Sequence, residues 1–276
     1  MVLALALAAL LAAPPAVPEP AFSVATVARQ ALAERIVALA WIDDTRLILL
    51  TPEEALLCRA GDAGATILAR MALPGPRRVA RAPAGLVFVD TDAEAAWVMS
   101  NRRAGAALVE WSGDRLALRA EAEALPLQGS ATGLRYREGM DWIEGDVPSL
   151  GAGPFLGVAP TGEMAVSPDG HLLFPQPAIE RTTPTAGPTA TGGPALAPLW
   201  PGWVAVSSPR PPGEGDAVVV VRTGPKVRLE TAIVSDEPVR ALASRPSGPT
   251  FRLAVAEEEG EGRSRLLLVE IRRSER

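Results

Sequence analysis

Beyond residue 22, apolar residues occur in short runs rich in Val and Leu, separated by Gly, Pro, Asp and Glu. Runs of this length bounded by turn residues are typical of β-strands joined by hairpins. Few windows keep the i, i+3, i+4 spacing of an amphipathic helix, and the one fair helical candidate is the short segment Val27–Glu34. The pattern therefore predicts an all-β chain.

Three pairs of segments indicate an internal repeat. In the first two pairs, an apolar strand, a polar loop and a second apolar strand occur twice: Leu47–Leu50 and Ala55–Cys58 match Leu86–Val89 and Ala96–Met99, and Val204–Ser207 and Asp216–Val221 match Leu253–Ala256 and Arg265–Glu270. In the third pair, Glu34–Ala40 and Glu237–Ala243 share the short motif Glu-x-(Ile/Val)-x-Ala-Leu-Ala. Repeats of several strands each are typical of propeller blades. We predict a β-propeller of about five blades with four-stranded antiparallel sheets; the alternative is a β-sandwich pair.

Two regions interrupt this rhythm. Residues 126–165 contain Gly, Pro and short apolar words without a clear strand pair, and residues 180–201 are a Pro/Thr/Gly/Ala-rich stretch that predicts a surface loop. Because hairpins of the same type lie on both sides of that stretch, we expect residues 21–276 to form a single propeller domain.

The N-terminus predicts the compartment. Residues 2–13 are all apolar and are followed by a Pro-rich segment up to Pro20, which suits a signal peptide although no basic residue precedes the run. The run is too short to span a bilayer, and the alternative is a buried N-terminal helix. We expect 1–20 to be the signal peptide and the start of the mature chain, and the protein to be periplasmic or secreted, without a transmembrane segment once the signal is removed. No cysteine directly follows the run, so there is no lipid-attachment site there, which favours a soluble form over a lipoprotein.

Composition restricts the possible chemistry. The formal net charge is -5 and the sequence contains no basic stripe, which argues against a nucleic-acid partner. Cys58 and His171 are the only residues of their types, so neither a disulfide nor a site with several His or Cys ligands can form within the chain. We expect Cys58 to be a buried, unreactive thiol, and His171 to follow a tight Pro-Asp-Gly turn rather than to act as a general base beside Asp169. We predict no cofactor.

The repeat unit resembles the FG-GAP or VCBS type of propeller repeat found in exported bacterial proteins. It consists of Glu-x-Val-x-Ala-Leu-Ala, an Asp-rich turn, Arg-Leu and a second strand. The resemblance covers about half of the chain and implies calcium-binding turns at 41–46 and 244–249. The first turn has two carboxylates and no glycine, and the second has no carboxylate. Calcium needs six to eight oxygen ligands, so we predict that no metal site remains.

The segment 136–146 is the strongest candidate for a binding site. It combines the only tyrosine with a tryptophan and several acids: Tyr136, Asp141, Trp142, Glu144 and Asp146. Aromatic rings stack on sugars and carboxylates accept their hydroxyl groups, so these residues predict a contact surface for a glycan or a peptide. The alternative is a polysaccharide hydrolase or lyase that uses carboxylates within 138–146.

The sequence therefore predicts a protein that is not an enzyme. We expect a binding or scaffold propeller that holds a protein or glycan partner in the cell envelope through its loops. We also expect Trp200 and Trp203 to plug a strand end, and the acidic run 257–261 to be a solvated hairpin tip.

Overall fold

The structure is a computed structural model, and it describes residues 22–138, 142–159, 162, 164–173, 194–211, 214–223, 228–260 and 262–273. The predicted signal peptide lies outside these residues. Among them, no helix has the length and apolar character that a bilayer crossing requires.

The described residues form six small antiparallel sheets, which are the blades of a propeller. Blade 1 contains β2 (Ala38–Trp41), β3 (Arg46–Leu50), β4 (Glu54–Gly61) and β5 (Gly64–Ala72). Blade 2 contains β6 (Gly85–Asp90), β7 (Ala95–Ser100), β8 (Ala106–Ser112) and β9 (Arg115–Ala122). Blade 3 contains β10 (Leu134–Tyr136), β11 (Ile143–Val147) and β12 (Gly151–Ala152).

The second half of the ring is built in the same way. Blade 4 contains β13 (Gly157–Val158), β14 (Ala165–Val166) and β15 (Leu172–Leu173). Blade 5 contains β16 (Leu196–Pro198), β17 (Trp203–Pro209), β18 (Asp216–Arg222) and β19 (Arg228–Val234). Blade 6 contains β20 (Val239–Ser247), β21 (Thr250–Glu259), β22 (Arg263–Arg273) and β1 (Phe22–Leu32).

The strands of a blade become more polar from the channel outward. In blade 1, β2 and Leu47–Leu50 of β3 are buried, because both faces of an inner strand pack against neighbouring blades. In blade 2, β9 is almost entirely exposed at the outer edge. The cores lie between blades, as where Ile48 and Leu57 of blade 1 pack with Val98 of blade 2. Each fully buried side chain of this size contributes about 2 kcal/mol.

The first and last strands of the described chain close the ring together. Strand β1 pairs antiparallel with β22, from Phe22 opposite Arg273 to Leu32 opposite Ser264, and so becomes the outer strand of blade 6. The predicted helix at Val27–Glu34 is therefore wrong, since most of it lies in β1. Its Ala, Arg and Gln residues favour a helix, but the open edge of β22 provides backbone hydrogen bonds for a strand.

Two of the three repeat matches occupy equivalent positions. Glu34–Ala40 and Glu237–Ala243 lead into β2 and β20, the innermost strands of adjacent blades, and the second match aligns β17 and β18 with β21 and β22. The first match is offset by one strand, since it compares β3 and β4 with β6 and β7. The propeller prediction is confirmed, with six blades rather than about five.

The extra blade lies where the sequence rhythm fails. Blades 3 and 4 consist of strands of two to five residues, which are too short to form a visible alternation. The predicted loop at 180–201 ends earlier than expected, because 196–198 form β16; residues 180–193 lie outside the described part of the chain. The acidic run is only partly a solvated tip. Gly260 is exposed, but Glu257 is 1% exposed and Glu258 pairs with Arg35 and Arg240; Glu261 lies outside the described residues.

Candidate functional site

Antiparallel order assigns every loop to one of two faces. The connections between blades and the loops between second and third strands lie on one face, which we call the upper face. In blade 3, Leu125 bridges Leu134 of β10 and so takes the place of an inner strand, which puts the loop between β10 and β11 on the upper face. The other hairpin loops lie on the lower face. The upper face also contains the mouth of the central channel, a cavity of about 40 Å³ lined by the first residues of the inner strands, among them Val37, Gly85 and Arg240.

A cleft of about 660 Å³ opens on the upper face between blades 2 and 3. One wall comes from the connection between blades 1 and 2 and from the loop after β7, with Gly75, Arg78 and Arg103. The other wall comes from the end of β9 and from blade 3, including Tyr136. Segments that are distant in sequence thus meet here because blade geometry places their loops on the same face.

Charged side chains dominate the lining of the cleft. Four arginines line it: Arg78, Arg103, Arg135 and Arg137. Four glutamates also line it: Glu121, Glu123, Glu138 and Glu144. Arg137 pairs with Glu144 at 3.4 Å, and Arg103 pairs with Glu53 behind the wall at 2.5 Å. The cleft therefore offers hydrogen-bond donors and acceptors to a polar ligand.

A second cleft of about 520 Å³ adjoins the first along blade 3. The two share Arg135 and Glu144, which lie directly opposite each other on β10 and β11. Asp146 lines the second cleft, and its carboxylate accepts a hydrogen bond of 3.3 Å from Thr132. Leu134 and Ile143 project from the same two strands into the core, which anchors the polar row between the clefts.

The structure places most of the predicted site residues around these clefts. Tyr136 and Glu144 line the first cleft and Asp146 lines the second. Tyr136 is 5% exposed, so only its edge can reach a ligand. Trp142 is 36% exposed at the end of the intervening turn, and the backbone N–H of Arg137 donates to its carbonyl oxygen. Asp141 lies outside the described residues.

Sequence reasoning missed the opposite wall. Arg78 and Arg103 are ordinary loop arginines in the sequence, far from the segment 136–146. Only the order of the blades brings them to the cleft, so no local signal marks them.

His171 lies in the tight turn that its sequence predicts. Gly170 has a φ of +83°, and its backbone N–H donates to the carbonyl of Ser167 at 2.9 Å. The imidazole Nε2 of His171 lies 3.1 Å from a carboxylate oxygen of Asp169, whose other oxygen accepts from the Ser167 hydroxyl. Ser167 thus bonds the carboxylate and the backbone of the turn, and these contacts form a turn motif.

In the first of the two turns expected to resemble calcium loops, the Asp43 carboxylate is already hydrogen-bonded within the chain. Asp43 accepts hydrogen bonds from the backbone of Thr45 and Arg46 at 2.8 and 2.7 Å. Burial alone would raise the pKa of Asp43, but these hydrogen bonds and the Arg46 side chain lower it to about 2. Among the residues that the structure describes, no group of three His, Cys, Asp or Glu is placed to hold a metal.

The single cysteine lies in the core of blade 1. Cys58 is fully buried on β4, and burial raises the pKa of its thiol to about 12. The thiolate that reacts or binds metal is therefore strongly disfavoured, as the sequence predicted.

The chain is similar in structure to sugar dehydrogenases. One is the soluble aldose sugar dehydrogenase of Escherichia coli in its apo form, with a TM-score of 0.52 at 13% identity, covering 92% of this chain and all of that one. Two glucose dehydrogenase structures match with TM-scores of 0.52 and 0.50 at 14% identity; each covers 89% of this chain, and they are covered over 98% and 99% of their own lengths. At these identities the similarity shows a shared fold.

No family model matches the chain, and no curated protein sequence matches it either. The propeller part of the sequence prediction is thus supported by structure, while membership of the FG-GAP or VCBS repeat family is not confirmed.

The prediction that the chain is not an enzyme is contradicted by these similarities. It rested on the single His and the single Cys of the chain and on the view of the propeller as a scaffold. Dehydrogenases share the architecture, so neither the fold nor the scaffold argument excludes catalysis.

Proposed function

We propose that this protein binds a carbohydrate in the cleft between blades 2 and 3. The observation that carries the proposal is the cleft itself, whose 660 Å³ lies within the range of small-molecule sites and whose lining contains four arginines and four glutamates. A protein partner held by the upper-face loops is the alternative binding function.

The chemistry of the lining suits a molecule with many hydroxyl groups. A hydroxyl both donates and accepts, so a carboxylate such as Glu144 can bind its hydrogen while a guanidinium such as Arg135 donates to its oxygen. Hydrogen bonds of this kind, with one charged partner, are stronger than neutral ones. The edge of Tyr136 adds an aromatic contact at the floor of the cleft.

Calorimetric titration with a panel of oligosaccharides tests this proposal. Glu144→Gln keeps the size of the side chain, and Arg135→Gln replaces the guanidinium with a shorter neutral amide. Each should weaken binding about tenfold, since a hydrogen bond to a charged group contributes about 1.5 kcal/mol. Glu110→Gln, on the exposed outer part of β8, is the matched control and should bind as the native chain does. Binding unaffected by both cleft variants would refute this location.

Oxidation of a sugar is a second candidate, favoured by the fold that the chain shares with sugar dehydrogenases. Incubation with aldoses and an artificial electron acceptor tests it. Acceptor reduction that depends on the sugar and is lost in Glu144→Gln would support it, whereas binding without turnover would limit the site to recognition.

We propose that the protein acts outside the cytoplasm, as the apolar N-terminal run suggests. Fusion of residues 1–40 to a phosphatase that is active only after export tests this. Activity that disappears when two charges are placed in 2–13 would support export, and an inactive fusion would count against it.

A further inference from the structure

An arginine-rich surface borders the cleft on the side of blade 1. We call it the arginine ridge, and its members come from the connection after β5 and from the loop after β7: Arg77, Arg78, Arg81, Arg102 and Arg103. The sequence showed no basic stripe because these residues belong to two separate stretches. The fold brings them together on a chain whose net charge is -5.

Backbone contacts and one buried side chain hold the two stretches side by side. The N–H of Arg78 donates to the carbonyl of Arg102 at 2.8 Å. The buried Asn101 side chain donates to Ala82 at 2.7 Å and accepts from the N–H of Ala84 at 3.0 Å. The two backbone stretches that contain the ridge arginines are therefore held next to each other by the fold.

Few carboxylates neutralise the ridge. In the described part of the chain, Glu53 is the acid that pairs with it, at 2.5 Å from Arg103 and 3.7 Å from Arg77. Two of the five ridge arginines, Arg77 and Arg103, thus share one carboxylate. Like charges that lie close together on a protein surface repel one another, and a bound anion relieves that repulsion.

Two further arginines lie at the channel mouth. There Arg35 and Arg240 share the carboxylate of Glu258. Burial, with repulsion from Arg240 and Arg102, lowers the pKa of Arg35. Arg102 of the ridge therefore lies close enough to Arg35 for the two charges to repel each other.

The cleft next to the ridge contains both signs of charge. Its wall on the ridge side contains Arg78 and Arg103, while the far side contains four glutamates, Glu121, Glu123, Glu138 and Glu144, together with Arg135 and Arg137. A saccharide with acidic groups fits this cleft when its hydroxyl groups lie against the glutamates and its anionic groups lie against the ridge.

We propose that the ligand of the cleft is an acidic oligosaccharide, whose carboxylate, sulfate or phosphate groups bind the arginine ridge. The inference rests on the proposed carbohydrate function and specifies its substrate class. Arg78 is the link between the two regions, because it belongs to the ridge and lines the cleft.

Calorimetry on the full chain with matched probes tests this. An oligogalacturonate and its methyl ester have the same rings and differ in charge, and a sulfated oligosaccharide distinguishes carboxylate from sulfate recognition. We expect the acid form to bind at least about tenfold more tightly than the ester, and added salt to weaken this binding. Tighter binding of the sulfated probe would support the inference and identify sulfate, rather than carboxylate, as the anion that the ridge recognises.

Matched variants localise the effect. Arg77→Gln with Arg102→Gln changes two ridge arginines that do not line the cleft. This double variant should lose about tenfold of the affinity for the acidic probe and bind the ester as the native chain does. Arg245→Gln, on the lower end of β20, is the control and should change neither. Circular dichroism of each variant confirms folding.

The failures are distinguishable. Equal binding of acid and ester overturns the acidic ligand while carbohydrate binding stands. Binding of no saccharide overturns both proposals. Tighter binding of a single-stranded oligodeoxynucleotide than of any acidic saccharide also overturns the inference.

Discussion

Trp41 in blade 1 donates its indole N–H to the carbonyl oxygen of Ala243 in blade 6, at 3.2 Å. The two residues are 202 positions apart in sequence, and both belong to the innermost strands of their blades. This bond joins blade 1 to blade 6, the blade in which β1 and β22 close the ring. It also connects the two segments that share the Ala-Leu-Ala word.

Removal of this bond should weaken the closure. Trp41→Phe keeps an aromatic side chain in the core but deletes the N–H, and should reduce the free energy of unfolding by about 1 kcal/mol in addition to any packing loss. Urea denaturation followed by circular dichroism measures the change. Unchanged stability would show that the contact contributes nothing to closure.

Phe22 should anchor β1 more strongly than its position at the start of the strand indicates. It is 2% exposed and contacts Trp200 and Trp203, with ring centroids 5.5 and 4.9 Å apart. Phe22→Ala should cost about 3 kcal/mol, because it empties an aromatic site in the core. Val24→Ala, on the exposed side of the same strand, is the control and should change stability by less than about 0.5 kcal/mol.

Glu257 should make stability depend on pH. Its carboxylate accepts a hydrogen bond of 2.5 Å from Ser235, and Arg265 lies 3.6 Å from its other oxygen. Burial outweighs these contacts and raises the pKa of Glu257. The folded state then holds the proton more tightly than the unfolded chain, so stability falls as the pH rises from the ordinary carboxyl pKa through the raised value.

The variant Glu257→Gln stays neutral and should not show this fall. Relative to the native chain, its free energy of unfolding should increase between pH 4 and pH 7 in urea titrations. Glu110→Gln, on the exposed side of β8, is the control for the loss of a charge. A constant difference between native and Glu257→Gln across this range would contradict the prediction.

Gly145 should be essential to blade 3. Its φ is +138°, and a Cβ at this position would lie 2.0 Å from the carbonyl oxygen of Gly133. Gly145→Ala should therefore cost more than about 2 kcal/mol or separate β10 from β11, and saccharide binding should fall with it. Gly260→Ala meets no atom within 4 Å and serves as the control; thermal unfolding measures both.

The sequence predicted the long strands well and the short ones badly. Strands such as β17 and β18 are easy to recognise in the sequence, because a strand that is buried on both faces contains a run of apolar residues such as Val and Ala. Strands of two residues in blade 4 have no such signal.

The sequence predicted the residues of one wall of the candidate site and missed those of the other. Tyr136, Glu144 and Asp146 lie close together in sequence, so composition alone marked them. Arg78 and Arg102 could not be found in the same way, because their value depends on which loops share a face. The acidic run at 257–261 shows the same limit: its charges indicate solvent, but pairing with β22 buries Glu257 and places Arg265 beside it.

The closure by β1 and β22 also determines how the molecule would respond to mechanical force. Phe22 and Arg273 pair at the same end of the strand couple, so a pull on the two ends of the described chain opens the couple one residue pair at a time. Unzipping in this direction needs little force at each step, whereas shear would load all the hydrogen bonds together. The ring is therefore mechanically weak at this seam, even though its inner strands are the most deeply buried part of the fold.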